Sequence, residues 1–216
     1  MIAWCFTGAG YMLKESVTVF ENIKGKKVAF VSKGAEKIFE RYSIKDYVER
    51  SADRVIYESL EGSPFFSAGI FYTKKFDAVI VSPATANTVA KIVRGIADTL
   101  VTNVVAQAIK NRVRLYAVPT DIEKDTHIRW IVFLPDKCDC DICYAEKKCR
   151  YGAVKKGKID IMRCRLCGEC IEVCKYCALK IVDKTINVRD VDIKNVERLA
   201  TEAIVLKRPE EILKLL

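Results

Sequence analysis

Short apolar runs alternate with amphipathic stretches along the first 135 residues of the chain. Apolar runs bounded by turn residues are typical of buried strands, whereas apolar residues spaced three or four apart indicate helices. This pattern predicts strands at residues 2–6, 28–31, 77–83, 113–119 and 128–134. Helices are predicted at residues 11–22, from Gly34 through Phe39, in part of 44–60 and after Thr88. Strands that alternate with helices predict a parallel sheet with helices on both faces.

The last part of the chain returns to a helical pattern. Residues 188–199 are predicted to form a loop and a helix. Pro209, followed by Glu210 and Glu211, is expected to begin a final amphipathic helix, because proline and acidic residues favour the first helical turn. We expect this helix to pack back onto the sheet.

Small polar residues follow the first two predicted strands. Residues 7–10, Thr-Gly-Ala-Gly, lie between the first strand and a helix, where free backbone N–H groups can bind an anion. The same residues are equally suited to a tight turn with no ligand. Ser32 follows the second strand, at the edge where open α/β sheets bind ligands, and it would serve either a phosphate or the start of a helix.

Nine of the ten cysteines lie between residues 138 and 177. The second half of this run has the x2-x2-x3 spacing of a bacterial [4Fe–4S] site, in Cys164, Cys167, Cys170 and Cys174. The first half is an imperfect copy of it, in Cys138, Cys140, Cys143 and Cys149. The two halves end in Cys-Arg-Tyr-Gly-Ala-Val and Cys-Lys-Tyr-Cys-Ala-Leu. We therefore interpret the run as an internal duplication.

The duplicated pattern resembles the two-cluster ferredoxins, although Arg150 and Lys175 stand where proline usually follows the fourth cysteine. The resemblance implies that one cluster is held by Cys138, Cys140, Cys143 and Cys174. It implies that the other is held by Cys149, Cys164, Cys167 and Cys170. Zinc is the alternative, but its cysteines usually come as two well-separated pairs. Cys5 and Cys177 remain as spare thiols.

Composition and charge narrow the class of protein. The formal net charge of +9 suits acidic partners, but there is no dense basic run with interleaved aromatic residues, so nucleic acid is not an expected partner. No apolar stretch is long enough to span a bilayer, and the first residues do not resemble a signal peptide. We expect a cytoplasmic protein with reduced thiols and no membrane partner, which argues against disulfides.

Two motifs carry a second resemblance. Ser-Pro-Ala-Thr-Ala-Asn-Thr at residues 82–88 and Gly-Ile-Ala-Asp at residues 95–98 are similar to paired motifs of the flavin-containing cysteine decarboxylase superfamily. The resemblance covers residues 1–135 and implies a Rossmann-like FMN protein, assembled as a trimer or a multiple of trimers, with its flavin near a subunit interface. The FMN-site residues that it implies are Thr7, Gly8, Ala9, Gly10, Ser32, Ser82, Pro83, Thr85, Ala86, Asn87, Thr88, Asp98 and Thr120.

The chain departs from the decarboxylases at both chemical positions. Gly69 stands where they carry a catalytic histidine, and residues 119–121, Pro-Thr-Asp, replace their Pro-Ala-Met-Asn substrate motif. His127, the single histidine, has no recognisable catalytic partners and is assigned to loop structure. We therefore expect no catalytic side chain and no decarboxylation.

The combined resemblance is to archaeal flavoproteins that join this FMN domain to a ferredoxin-like insert. It implies an α/β flavoprotein domain, at residues 1–135 and 183–216, and a 2[4Fe–4S] domain at residues 136–182. Such a protein would take electrons from ferredoxin or another low-potential donor through the clusters to FMN. The acceptor would be dihydromethanopterin or a related pterin. The alternative is an electron carrier that passes electrons to another flavoprotein and has no small-molecule substrate.

Overall fold

The computed structural model of the protein describes residues 1–216. Its strands are β1 (Ile2–Phe6), β2 (Lys27–Val31), β3 (Arg54–Tyr57), β4 (Ala78–Ala84), β5 (Arg114–Pro119), β6 (Asp125–Phe133), β7 (Val154–Lys155), β8 (Lys158–Ile159), β9 (Leu179–Asn187) and β10 (Ile204–Val205). Its α-helices are α1 (Leu13–Asn22), α2 (Lys33–Arg41), α3 (Lys45–Ser51), α4 (Glu58–Glu61), α5 (Ala86–Val93), α6 (Leu100–Lys110), α7 (Tyr144–Lys148), α8 (Glu169–Glu172) and α9 (Asp190–Leu199). Short 3₁₀ helices cover Phe66–Tyr72, Pro135–Lys137 and Pro209–Lys214.

Six strands form one parallel sheet in the order β3-β2-β1-β4-β5-β10. This is the strand order of doubly wound nucleotide-binding folds, in which the chain reverses direction across the sheet between the first and fourth strands. Every residue of β1, β2 and β4 is buried, as expected for parallel strands covered on both faces. The predicted parallel α/β sheet is therefore confirmed.

Alternate residues of β1 serve two separate cores. Trp4 and Phe6 point into the core beneath α1 and α2, where Phe6 meets Phe20 and Phe39 edge-on at ring-centroid distances of 5.4 and 5.3 Å. Ala3 and Cys5 point into the opposite core, which α6 and α9 help to cover. This alternation of side chains along a strand is what allows a single buried sheet to hold helices on both faces.

The strand predicted at residues 128–134 is real, but it does not join the parallel sheet. β6 pairs antiparallel with β9, from Asp125 opposite Asn187 to Phe133 opposite Leu179. Along most of β6, exposed residues alternate with partly buried ones. One face of this strand is therefore exposed to solvent, and the strand cannot occupy the interior of the parallel sheet. We call β6 and β9 together the ribbon.

Residues 44–60 are partly helical, as expected, in α3 and the first part of α4. The edge strand β3 lies between these helices and is too short for its period to be recognised in the sequence. The last helix is a 3₁₀ helix that contacts α1, and its buried Ile212 belongs to the same core as Trp4 and Phe6 of β1.

The segment between the two ribbon strands packs directly on the α/β part of the chain. The Ile161 N–H donates to the Tyr42 carbonyl at 3.3 Å, and the Tyr47 hydroxyl donates to the Asp160 carboxylate at 2.8 Å. Ile159 and Ile161 belong to the same apolar core as Trp4 and Phe6. The cysteine-rich segment is thus seated against the face that carries α1 and α3.

The two expected domain boundaries fall at different points along the ribbon. Residue 136 follows β6 within the 3₁₀ helix Pro135–Lys137, whereas residue 183 falls inside β9. No helix in the structure has both the length and the apolar character needed to cross a bilayer.

The aromatic core beneath α1 predicts a large difference between two phenylalanines. Phe20→Ala empties a fully buried site, so we expect the free energy of unfolding to fall by about 3–5 kcal/mol. Phe66→Ala removes a ring that is 81% exposed and should change it by less than about 0.5 kcal/mol. Urea denaturation followed by circular dichroism measures both, and equal losses would contradict this assignment of the core.

Candidate functional site

Four neighbouring strand ends bring most of the predicted flavin residues together. The turn at residues 7–10 follows β1, and residues 83–88 follow the adjacent β4. Ser32 follows β2 on one side, and Thr120 follows β5 on the other. The β1–β4 edge is the switch point of the sheet, where open α/β folds bind their ligands.

Thr7 ties the two central strand ends to each other. Its hydroxyl donates to the Pro83 carbonyl at 2.6 Å and accepts from the Thr85 N–H at 3.0 Å. The side chain is 2% exposed, and both of these bonds connect segments that are far apart in sequence. Thr7 therefore holds the two turns at a constant separation and has little surface left for a ligand.

Close backbone contact joins the turns after β1 and β2. A Cβ atom placed on Gly8 would lie 3.1 Å from the Gly34 backbone, so only glycine fits there without displacement. The Ser32 N–H donates to the Phe6 carbonyl at 3.1 Å, while the Ser32 hydroxyl accepts from the Ala35 N–H at 3.1 Å. Ser32 therefore caps α2, which was one of its two predicted roles.

The turn after β4 leads into the start of α5. Thr85 is the N-cap residue, and its hydroxyl accepts from the Thr88 N–H at 3.2 Å. Asn87 is exposed in the first turn of this helix. Thr120 joins the same region because its N–H donates to the Ala84 carbonyl at 3.0 Å. Residues 83–88, the turn at residues 7–10 and Thr120 therefore form a polar rim, where the first N–H groups of α5 have no backbone partner within the helix.

Two predicted flavin residues lie apart from this rim. Ser82 is fully buried, and its hydroxyl is 2.8 Å from the hydroxyl of Ser16 on α1. Asp98 lies beyond the opposite end of α5, where both carboxylate oxygens accept from the Lys91 ammonium at 2.8 Å. Ser82 supports the turn from beneath, and Asp98 does not reach the rim within one chain, since α5 is about 12 Å long.

A cavity of about 860 Å³ is next to this rim and not within it. It opens at the ends of β2 and β3, and Lys158 of the cysteine-rich segment closes one side. Gly34 lines it and also contacts Gly8, so the cavity adjoins the turn after β1. Its lining has both lysines and carboxylates, which do not indicate one class of ligand.

The eight predicted metal-binding cysteines separate into two groups in space. A cavity of about 230 Å³ is lined by Cys140, Cys143 and Cys174, and the Cys138 sulfur lies 4.0 Å from that of Cys140. We call these four the outer quartet.

The other four cysteines lie against the ribbon, and we call them the inner quartet: Cys149, Cys164, Cys167 and Cys170. Ile131 of β6 lines one cavity together with them. The Ala153 N–H points at the Cys149 sulfur at 3.4 Å, and the Leu166 N–H points at the Cys164 sulfur at 3.5 Å. Lys14 of α1 donates to the Cys164 carbonyl at 2.8 Å, which joins this quartet to the α/β part of the chain.

The thiols influence one another within each group. Burial, reinforced by the neighbouring Cys164, Cys149 and Cys167, raises the pKa of Cys170 to about 11. Burial also raises the pKa of Cys140, with the adjacent Cys138 thiol adding to the effect. Crowded, desolvated thiols keep their protons at neutral pH, so a cation that binds them must displace those protons.

The remaining thiols stand apart from both quartets. Cys5 is buried in β1, where desolvation raises its pKa, and Cys177 is exposed with a φ of 50°. No three metal-binding side chains converge tightly enough to hold a single ion directly.

Several residues near these sites were not predicted from the sequence. Ser16 lies on the apolar face of α1 between Leu13 and Phe20, and a polar residue among apolar ones could have been recognised in the sequence. No sequence pattern marks Gly34, Lys14 or Trp130, because their partners come from other parts of the chain. Trp130 lies on β6 with its indole ring against Gly10.

Comparison with known proteins places the fold and the motifs in context. Residues 1–124 match the family described as Flavoprotein. The chain is 38% identical to dihydromethanopterin reductase (acceptor) from Methanosarcina mazei, over 99% of this chain and 98% of that protein. It is 37% identical to the protein of the same name from Methanocaldococcus jannaschii, over 98% and 94% of the two chains.

A solved structure with the same fold covers nearly the whole chain. DmrB from Burkholderia xenovorans, described as a cubic protein cage for redox transfer and solved in complex with FMN, superposes with a TM-score of 0.67. The aligned part covers 99% of this chain and 91% of DmrB, at 22% identity.

The bonds of Thr7 predict a specific cost for its hydroxyl. Thr7→Val keeps the shape but leaves the Pro83 carbonyl and the Thr85 N–H without partners, so we expect the free energy of unfolding to fall by about 2 kcal/mol. Thr18→Val removes a hydroxyl that donates to the Lys14 carbonyl on the exposed side of α1, and it should cost less than about 0.5 kcal/mol. Urea denaturation compares the two, and a Thr7→Val protein as stable as the native one would refute the bridging role.

Proposed function

Because this chain belongs to the flavoprotein family, we propose that it is an FMN-dependent oxidoreductase that receives electrons through two [4Fe–4S] clusters, with dihydromethanopterin or a related pterin as acceptor. The observation that carries the proposal is the sorting of eight cysteines into two four-thiol groups beside a flavoprotein sheet. Two relatives that match it along almost their full length are named as dihydromethanopterin reductases (acceptor).

The rim at the switch point supports an FMN site. Its backbone N–H groups, its N-cap Thr85 and the exposed Asn87 offer donors to a phosphate and to the edge of a flavin. Gly8 allows close backbone approach, which a phosphate-binding turn requires. When bound, FMN would accept single electrons and deliver a hydride, and the reduced nitrogen of the acceptor would take its proton from solvent. This chain's own part would be to bind the flavin and position its ring.

The two cysteine groups support clusters better than zinc. The second half of the cysteine run has the x2-x2-x3 spacing of a four-iron site, whereas zinc-binding cysteines usually come as two well-separated pairs. In space the eight thiols fall into two groups of four, one for each cluster. The outer quartet would hold one cluster and the inner quartet the other, as the ferredoxin resemblance implies.

The position of the inner quartet suggests an order for the two sites. Cys170 is buried in the same core as the flavoprotein sheet, and Lys14 of α1 contacts the Cys164 loop. In the outer quartet Cys140 and Cys143 line an open cavity beside the exposed Tyr144 and Tyr176. We infer that an external donor such as ferredoxin meets the outer quartet and that the inner quartet faces the flavin.

Assembly into a trimer or a multiple of trimers is part of the same proposal. Asp98 is far from the rim within one chain, so a role in FMN binding would require a neighbouring subunit to bring it there. His127, which was expected in a loop, lies on β6, with its Nε2 atom 3.2 Å from the Asp183 carboxylate, so that expectation was wrong. Gly69 stands at the histidine position of the decarboxylases, so the rim has no catalytic histidine.

Iron content tests the cluster assignment directly. Anaerobically purified protein should contain about eight iron and eight sulfide per chain, and Cys167→Ala should lose about half of both while it keeps FMN. Cys177→Ala alters another exposed thiol, outside the quartets, and should lose neither iron nor sulfide. Metal analysis would refute the clusters if it finds zinc, or if both variants retain full iron.

Reoxidation of the reduced flavin separates a reductase from a carrier. With FMN reduced under anaerobic conditions, a dihydropterin alone should restore the oxidised flavin absorbance if the protein is a reductase. An electron carrier would need a second flavoprotein before any absorbance returned. Stopped-flow absorbance with each acceptor in turn distinguishes them, and reoxidation only by protein would contradict the pterin proposal.

A further inference from the structure

The indole ring of Trp130 covers the last residue of the turn after β1. A Cβ atom placed on Gly10 would lie 3.2 Å from Cζ2 and 3.4 Å from Cε2 of Trp130, so the ring is in contact with the glycine backbone. Trp130 comes from the ribbon, more than one hundred residues away in sequence. One side of the rim is therefore covered by an aromatic side chain from outside residues 1–124.

Trp130 is held in one orientation. Its Nε1 donates to the Tyr42 hydroxyl at 2.9 Å, and that hydroxyl donates to the Ile131 carbonyl at 3.1 Å. The Tyr42 and Trp130 rings meet edge-on, with centroids 5.1 Å apart and planes at 75°. Tyr42 is 4% exposed, so the group that orients the indole is itself immobilised in the core.

The next residue on the strand faces the cysteines. Ile131 is 1% exposed and lines the cavity of the inner quartet. Successive residues of a strand point to opposite faces, so Trp130 and Ile131 lie back to back between the rim and the quartet. One dipeptide of β6 thus separates the two candidate cofactor sites.

We propose that Trp130 is a flavin-binding residue whose indole forms a wall of the FMN site against the isoalloxazine ring. An aromatic ring that only filled the core would be fully covered, whereas Trp130 is partly exposed, next to a glycine where a flat ligand could approach. Aromatic rings stack favourably on one another and contribute to affinity beyond their buried area. The inference rests on the proposed FMN site and adds a residue from the ribbon to it.

Titration of FMN into flavin-free protein with its metal content preserved tests this role. Trp130→Ala should weaken FMN binding about tenfold, and Trp130→Phe, which keeps a smaller ring, about threefold. The visible circular dichroism of bound flavin, taken as the FMN-loaded minus FMN-free difference, should change in both variants because the neighbouring ring imposes asymmetry. Phe133→Leu trims a buried aromatic residue of the same strand and should leave the dissociation constant and the difference spectrum unchanged.

The outcomes separate this inference from the function on which it rests. Native protein that binds no FMN would overturn both. Native protein that binds FMN, with Trp130→Phe giving the native dissociation constant and difference spectrum, would overturn the role of Trp130 alone. If Trp130→Ala does not fold, Trp130→Phe decides the matter. Equal losses in Trp130→Phe and Phe133→Leu would show that loosening of the ribbon is the cause, and would also overturn the role.

Discussion

The position of β1 between β2 and β4 is the constraint on which the rest of the structure depends. Parallel pairing on both sides leaves β1 buried on both faces and sets its register to each neighbour. The turns that follow these three strands must then meet at one edge of the sheet. Thr7 and Gly8 use that proximity in different ways, one through two hydrogen bonds and the other through the absence of a side chain.

The ribbon brings distant cysteines together, just as the sheet brings the turns together. Its antiparallel ladder holds Phe133 opposite Leu179, so the segment that starts after β6 must end beside its own beginning. Cys138 lies soon after β6 and Cys174 soon before β9, which explains how cysteines from opposite ends of the segment reach the outer quartet. The same ladder places Trp130 and Ile131 between the two kinds of site.

Most of the sheet was predictable because its strands are long apolar runs separated by turn residues. β3 and β10 were missed since strands of four and two residues are too short to show a period. β6 was recognised as a strand, but it was expected in the parallel sheet and instead pairs with β9. The pairing partner of a strand depends on which of its faces another segment covers, and a short window of sequence does not contain that information. The turns at the switch point were identified by their small residues, whereas Ser82 and Asp98 lie away from the rim that those turns form.

The sequence by itself determined the local chemistry: the parallel α/β class, the glycine turn after β1, and the cysteine spacings that predict two four-thiol groups. These features depend on side-chain type and spacing within a short window, which is information the chain carries directly. Only the tertiary structure decided that the inner quartet packs on α1, that Tyr42 orients Trp130, and that Gly10 lies under an indole from the ribbon. Those contacts join residues far apart in sequence, and they form only when two separate segments bury their apolar faces in one core.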